Sequence, residues 1–440
     1  MTKKRILVVG SGGREHAICW ALHNTSTQPL DVYCAPGNAG IGTCAELVPC
    51  SADDQRTLAE FVKSEGVDLT FVGPEAPLAA GLVDTFAAAG LEIVGPTGDA
   101  SRLEASKVFA KDFMARHQIP TAAYRVAESA TEAADVIRSG EFGSADSHVV
   151  IKADGLAAGK GVVVASSRVE AEKAIEDLMV KQLAGPAAAQ RVVIEEALSG
   201  KEVSLLLFSD GRDYVLMPPA RDHKRIGEGD VGPNTGGMGS ITDDSILEAA
   251  MLKRIVREVV EPTIEGARHE GFPFRGVLFL GLMLTAQGPK LLEYNVRFGD
   301  PETQAILIRL KSDLVYIFQA IHDGELRNLN VEWQPGSSAC VVAANRGYPG
   351  KYESGAVIQG LEIVALEPAV QVFHAGTSRS EDGGLIATGG RVLGVTAAAE
   401  NLNTALRLCY DSLEQIQWEG MQYRRDIGRS ALSGIAGLPA

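Results

Sequence analysis

Short apolar runs alternating with amphipathic stretches dominate the first part of the chain. The pattern predicts strands over 5–9, 31–35 and 68–72, and helices over 14–23 and 78–89. Short buried strands separated by helices predict a parallel sheet covered by those helices. Small-residue loops follow the strand ends: Gly10-Ser11-Gly12-Gly13, Pro36-Gly37-Asn38-Ala39-Gly40 and Gly73-Pro74-Glu75-Ala76-Pro77. In open α/β sheets, ligands bind at those ends.

The character then changes. One helix is expected over 104–117, closed by Ile119-Pro120. Strands follow over 149–152, 162–165, 192–195, 203–208 and 214–217, with a helix over 170–181 among them. Their short connections give an α+β stretch. A helical region over 244–270, interrupted near Pro262, leads to a hairpin of strands 276–284 and 289–294 around Ala286-Gln287-Gly288. From about 331 a β-rich pattern begins, with strands over 337–344, 370–375, 385–388 and 391–395 and a helix over 397–415. No repeats, low-complexity tract or coiled-coil heptads occur.

A length of 440 residues leaves room for about three domains. The 45% hydrophobic and 22% charged content is ordinary for a soluble globular protein. A net charge of −15 argues against a general nucleic-acid or anionic-membrane surface. Any phosphate site must be built locally from loops and a few cations. The cysteines form no C-x-x-C pair and read as reduced thiols of a cytoplasmic protein. The apolar run after Lys3-Lys4-Arg5 ends at Gly10, which makes it a first strand and not a signal segment. No apolar stretch approaches the ~20 residues of a bilayer span.

Against that background, Leu291-Leu292-Glu293-Tyr294-Asn295-Val296-Arg297 stands out. In an extended strand, residues two apart share a face, so Glu293, Asn295 and Arg297 would project together. Two oxygen donors beside a cation suit Mg²⁺ on a phosphate chain. A polar strand end entering the turn at Gly299-Asp300-Pro301 accounts for the same residues equally well.

Other segments bear on that choice. Gly10 to His16 follows a strand and opens a helix, where backbone N–H groups and Arg14 favour a phosphate. Glu15 takes the last glycine position of G-x-G-x-x-G, which argues against a nicotinamide-dependent oxidoreductase and leaves a tight βα turn as the alternative. Lys152 and Lys160 flank a loop rich in glycine and alanine, with Gly155, Gly159 and Gly161. Such a loop fits a phosphate lid better than an exposed hairpin. Glu195-Glu196-Ala197-Leu198 ends a strand and could offer backbone groups to a purine edge, with Glu202 close enough for a ribose hydroxyl. Taken alone, these are solvated charges. Asp222-His223-Lys224-Arg225 precedes the glycine-rich, Asn234-bearing loop 232–239, and could place donors on a carboxylate or a transferring phosphoryl group. His223 alone would most often be structural.

With these segments in order, the chain resembles the glycinamide ribonucleotide synthetase (phosphoribosylamine–glycine ligase) family of ATP-grasp ligases over nearly its whole length. The resemblance implies an N-terminal α/β substrate-binding domain over 1–104 and an ATP-grasp domain over 105–330. It also implies a mobile lid at about 121–198 within the latter, and a β-rich C-terminal domain over 331–440. It implies de novo purine biosynthesis by ligation of glycine to 5-phosphoribosylamine through glycyl phosphate, with release of ADP and phosphate. Positioning and charge neutralisation would do the work, without a protein nucleophile.

By matching position, the resemblance puts Lys107 and Lys152 on the ATP phosphates, with the lid at Gly155, Gly159, Lys160 and Gly161. Glu195, Glu196 and Leu198 would form the adenine hinge, and Glu202 would bind ribose. Glu293 and Asn295 would hold Mg²⁺ or Mn²⁺. Arg297, Asp222 and Lys224 would serve the transferring phosphoryl or the glycine. Phosphoribosylamine would meet Gly12, Gly13, Arg14, Asn38, Gly73 and Glu75, with Asn234 as a further substrate contact. A monomer is expected, without nucleic-acid or membrane partners. Another ATP-grasp enzyme would share Lys107, Lys152 and Glu293 but not the Pro36-Gly37-Asn38 and Gly73-Pro74-Glu75 loops. The chain departs from the family pattern in a shortened loop after Gly239, in Arg221 where glutamine is common, and at Asn345-Arg346-Gly347-Tyr348.

Overall fold

Five parallel strands open the fold, in the spatial order Glu46–Leu47, Leu30–Pro36, Lys4–Gly10, Leu69–Val72 and Ile93–Val94. They belong to a computed structural model that describes residues 3–157, 161–186 and 188–432. Ile6, Leu7, Val8 and Val9 are all fully buried. Leu7 and Val9 enter one core and Ile6 and Val8 another, as strand alternation requires of a sheet covered on both faces. The helix expected over 78–89 is two short ones, Glu75–Ala79 and Leu82–Ala88, because Gly81 turns left-handed between them.

The helix expected over 104–117 is also divided, into Gly98–Ala105 and Lys107–Arg116. Ser106 is extended, and its hydroxyl accepts from the Phe109 N–H at 3.1 Å while donating to Asp154 Oδ1 at 2.9 Å. This serine cap restarts the helix in a new direction and makes Lys107 its first residue. Beyond it, strands Tyr124–Ala127, Val192–Glu196, Val149–Ala153 and Val162–Ala165 form a small antiparallel sheet. Helices Ala130–Ser139 and Arg168–Ile175 pack on it around a separate core that includes Ile137, Ile151, Ile175 and Ile194.

The largest sheet follows the order Gly288–Asn295, Arg275–Thr285, Lys201–Asp210, Ala220–Asp222, Gly239–Thr242, Ser337–Asn345, Arg391–Ala399 and Val370–His374. The strands expected after 331 therefore extend the central sheet, through the pairing of Gly239–Thr242 with Ser337–Asn345. Leu385–Ala387 instead joins a small sheet with Ala356–Val357 and Thr377–Arg379. Helix Leu402–Leu413 starts later than the expected 397, because the preceding strand runs to Ala399 and Asn401 caps the helix. Near Pro262 the 244–270 region changes helix type instead of breaking: a π turn at Val256–Val260 joins Ala249–Ile255 to Glu261–His269, and Pro262 is the second residue of the latter. Among the described residues, no helix is long and apolar enough to cross a membrane.

The beginning and end of the chain meet at two histidines. His16 Nδ1 accepts the His374 backbone N–H at 2.8 Å, and the rings lie 5.5 Å apart. Burial, with the neighbouring His374, pushes His16 down to about 3, and burial with Arg379 pushes His374 down to about 4. Both are neutral in the fold, whereas the unfolded chain takes up protons at the ordinary value near 6.5. Stability contributed here is therefore present above pH 6.5 and is lost as pH falls toward 4. The thermal midpoint should decline over that interval in a pH series, and His16→Gln should make the decline shallower. An identical slope in the variant would remove His16 from the account.

Candidate active site

Strand Gly288–Asn295 is an edge strand of the large sheet, with a bulge that puts Gly281 opposite Glu293 and Leu282 opposite Leu291. The extra residue, Leu292, turns its carbonyl to Lys152, whose Nζ donates to it at 3.0 Å. Glu293, Asn295 and Arg297 all face a cavity of about 480 Å³ between the sheets. Arg297 lies past the strand end, yet its Nη2 reaches Asn295 Oδ1 at 3.4 Å. Its guanidinium also binds Glu75 Oε2 at 3.1 Å and Glu104 Oε1 at 3.0 Å. Burial alone would lower the Arg297 pKa, but these two carboxylates raise it further above its ordinary value.

The cavity gathers cations. Lys107 donates to Gly155 O at 3.0 Å, and burial pulls its pKa down. Lys224 lies 3.1 Å from Glu202 and 3.8 Å from Glu293. Burial would lower its pKa too, yet Glu202, Glu293 and Asp222 outweigh that and raise it. Burial pushes the Glu293 carboxyl up, but Lys224, Lys152, Lys107 and Arg297 hold it below the usual range, so it is ionised. Burial and the nearby Glu302 push Asp222 up. An adjoining cavity of about 540 Å³ lies between the small and large sheets, with Val150, Val162, Val164, Met283 and Leu292 as apolar walls and Glu196 to Leu198 at its edge. A partly apolar slot opening onto a chamber lined with lysines and arginines can seat a nucleotide base and its phosphates.

Comparison with known proteins agrees with this geometry. Family models match in three consecutive parts: the phosphoribosylglycinamide synthetase N domain over 4–104, its ATP-grasp (A) domain over 105–303 and its C domain over 338–430. The chain belongs to the phosphoribosylglycinamide synthetase family. The phosphoribosylamine–glycine ligase of Rhodopirellula baltica is 46% identical over 98% of this chain and 99% of its own length. That of Xanthomonas axonopodis pv. citri is 47% identical over 98% of each. The crystal structure of the Thermotoga maritima phosphoribosylamine–glycine ligase superposes with a TM-score of 0.82 at 35% identity, covering 96% of this chain and 99% of that one. The biotin carboxylase domain of the Hydrogenobacter thermophilus 2-oxoglutarate carboxylase shares the fold alone, at 15% identity and a TM-score of 0.71, over 96% and 92% of the two chains.

Within this synthetase fold, the residues singled out in the sequence divide by where they stand. Arg14, Glu75, Lys107, Lys152, Gly155, Gly161, Asp222, Lys224 and Asn234 line the main cavity with Glu293, Asn295 and Arg297. Glu195, Glu196, Leu198 and Glu202 line the adjoining one. Gly159 and Lys160 lie outside the described residues. Gly12, Gly13, Asn38 and Gly73 line neither cavity and instead brace the loops. Asn38 donates to Ser11 O and His374 O and accepts from the Gly40 and Ile41 N–H groups, which uses its whole amide. Glu15 accepts from Gly12 N–H and from Arg14 Nε, each at 2.6 Å, and aims Arg14 at the cavity. Gly73 makes room for it, since a Cβ there would lie 2.0 Å from Glu15 Oε1. Arg221 sits mid-strand with its Nε buried and unpartnered, and nothing in the structure explains the replacement of glutamine there.

Sequence reasoning missed several residues at the site. Glu104, Asp300, Glu302, Tyr348 and Arg391 all line the main cavity. Lys111 does too, and it shares Glu195 with Lys152, at 3.1 Å and 3.0 Å. The spacing of Lys107 and Lys111, one helical turn apart, was an available signal. Burial lowers Lys111 to about 8 even against the pull of Glu195. Glu195 is 1% exposed and is the carboxylate between two buried ammonium groups. Glu195→Gln should cost about 3–5 kcal/mol of stability in chemical denaturation. Adding Lys111→Met should recover part of that loss by removing the stranded charge. Simple additivity of the two changes would refute the coupling.

Proposed function

We propose that the cavity joins glycine to 5-phosphoribosylamine in two steps, through glycyl phosphate. The coarser activity is that of the family: an ATP-dependent ligase of purine biosynthesis. The observation that carries the two-step reading is the meeting of Glu293 and Asn295 with Lys107, Lys152, Lys224 and Arg297 in one chamber. In the first step a glycine carboxylate oxygen bonds to the γ-phosphorus of ATP, the bond to the β,γ-bridging oxygen breaks, and ADP leaves. In the second, the amine nitrogen bonds to the acyl carbon, the acyl C–O bond breaks and phosphate leaves, while the amine gives up a proton. Both steps develop or move negative charge, which positioned cations stabilise.

Lys107 and Lys152 stand where the phosphate chain would lie, beside the apolar slot for adenine. Glu202 and the carbonyl edge near Leu198 fit the ribose and base. Arg14 and Glu75, from the helices that follow two strands of the first sheet, fit a phosphorylated amine. Glu104 and Glu75 hold the Arg297 guanidinium rigidly at the chamber floor, facing the reacting carboxylate.

The donor set also fits Mg²⁺ or Mn²⁺. Glu293 and Asn295 offer hard oxygen ligands, and Glu293 is kept ionised by the surrounding lysines. These two would hold the ion, which when bound supplies charge neutralisation and orientation of the phosphate chain.

ADP formation should require both glycine and 5-phosphoribosylamine in a coupled assay. An undiminished rate with either omitted would refute the ligase reading. Glu293→Ala should lower kcat by about three orders of magnitude while leaving the circular dichroism spectrum near wild type. Near-normal turnover at millimolar Mg²⁺ would remove Glu293 from the metal site.

A further inference from the structure

We propose that Arg424, which lines neither cavity, is a positioning residue that holds the hairpin 225–234 against the adjoining cavity and the edge of the main one. The inference rests on the ligase reading for its kinetic consequences but not for its structural ones. The hairpin consists of strands Arg225–Gly227 and Val231–Asn234, which pair only with each other. It starts just after Lys224 and ends at Asn234, both on the wall of each cavity, and its Arg225 and Asp230 line the adjoining one. Its tip has Gly229, Asp230 and Gly232 at positive φ, and Val231 is 61% exposed. An isolated two-stranded hairpin is marginal in water, so an outside brace must fix it.

That brace is the segment 424–428. Arg424 is 2% exposed. Its Nε and Nη2 each donate to an oxygen of Asp426 at 2.8 Å. Its Nη1 crosses to the hairpin and donates to Asp230 Oδ1 at 2.7 Å and Arg225 O at 3.0 Å. Asp426 Oδ2 also accepts the Gly229 N–H at 2.8 Å, and the Arg425 N–H donates to Glu228 Oε1 at 3.0 Å. The Gly428 N–H donates to His223 Nε2 at 3.0 Å, which leaves Nδ1 to donate to Gly239 O at 3.1 Å. His223 is thus a neutral strut between the brace and the residues that flank it, Asp222 and Lys224. The planar fork of arginine serves both directions at once, which the single point charge of lysine cannot do.

The test combines amide hydrogen exchange with steady-state kinetics on the full chain. In Arg424→Met, exchange over 225–234 should accelerate about ten-fold without nucleotide present. In the same variant kcat should fall about ten-fold, with KM for 5-phosphoribosylamine unchanged because Arg14 and Glu75 are held by Glu15, Phe298 and Arg297 and not by the hairpin. Arg424→Lys should recover part of both losses. Asp230→Asn guards against a folding failure: it cuts one exposed partner and keeps a residue type that tolerates positive φ. It should shift both readouts in the same direction, by less. Wild-type exchange over the hairpin in Arg424→Met, or a kinetic loss that tracks only the folded fraction, would overturn the proposal. Should the wild type form no ADP with glycine and the amine, the ligase reading fails, while the exchange result still decides on the brace.

Discussion

The central constraint is the crowding of positive charge around one chamber in a chain whose net charge is −15. Lys107, Lys111, Lys152, Lys224 and Arg297 all line one chamber, and like charges at such range repel strongly where water is scarce. The chain resolves this with fixed counter-charges. Glu195 serves two lysines, Glu202 and Glu293 serve Lys224, and Glu75 with Glu104 serve Arg297. The arrangement is held together electrostatically while the cations still line the open space. An incoming polyphosphate meets groups already aligned, with little reorganisation left to do.

The architecture follows from that need. No single element could supply all these groups. The helices that follow two strands of the first sheet give Arg14 and Glu75, the capped helix gives Lys107 and Lys111, the small sheet gives Lys152 and Glu195, and the large sheet gives Asp222, Glu293 and Asn295. The bulge at Leu292 and the helix restart at Ser106 are local irregularities whose effect is to aim lysines. The continuity of the large sheet into the last part of the chain brings Arg391 and Tyr348 to the same rim.

Much of this was legible in the sequence. Uninterrupted apolar strands, the glycine-bearing turns and the Glu293-x-Asn295 alternation carry local signals, and the elements they predict are present. What escaped was governed by distant partners. Ser106 looks like one more residue in a helical stretch until Asp154 is opposite it. Lys111 reads as a solvated helix lysine until Glu195 is folded over it. Asn38 suggests a ligand contact because its loop is conspicuous, yet its amide is consumed by His374 and three neighbouring backbone groups. Arg424 has Asp426 beside it in the sequence, but its partners in the hairpin, Arg225 and Asp230, lie 199 and 194 residues earlier in the chain.

The small four-stranded sheet keeps its hydrophobic cluster to itself; Ile137, Ile151, Ile175 and Ile194 share no core with the rest of the molecule. Swinging that sheet as a unit would leave every one of those side chains dry. Such a motion would be resisted by backbone torsions at the two crossings and by a handful of polar links, not by hydration of oily surface. Its thermodynamic signature would therefore be a small heat-capacity change, with an opening equilibrium only weakly curved in temperature.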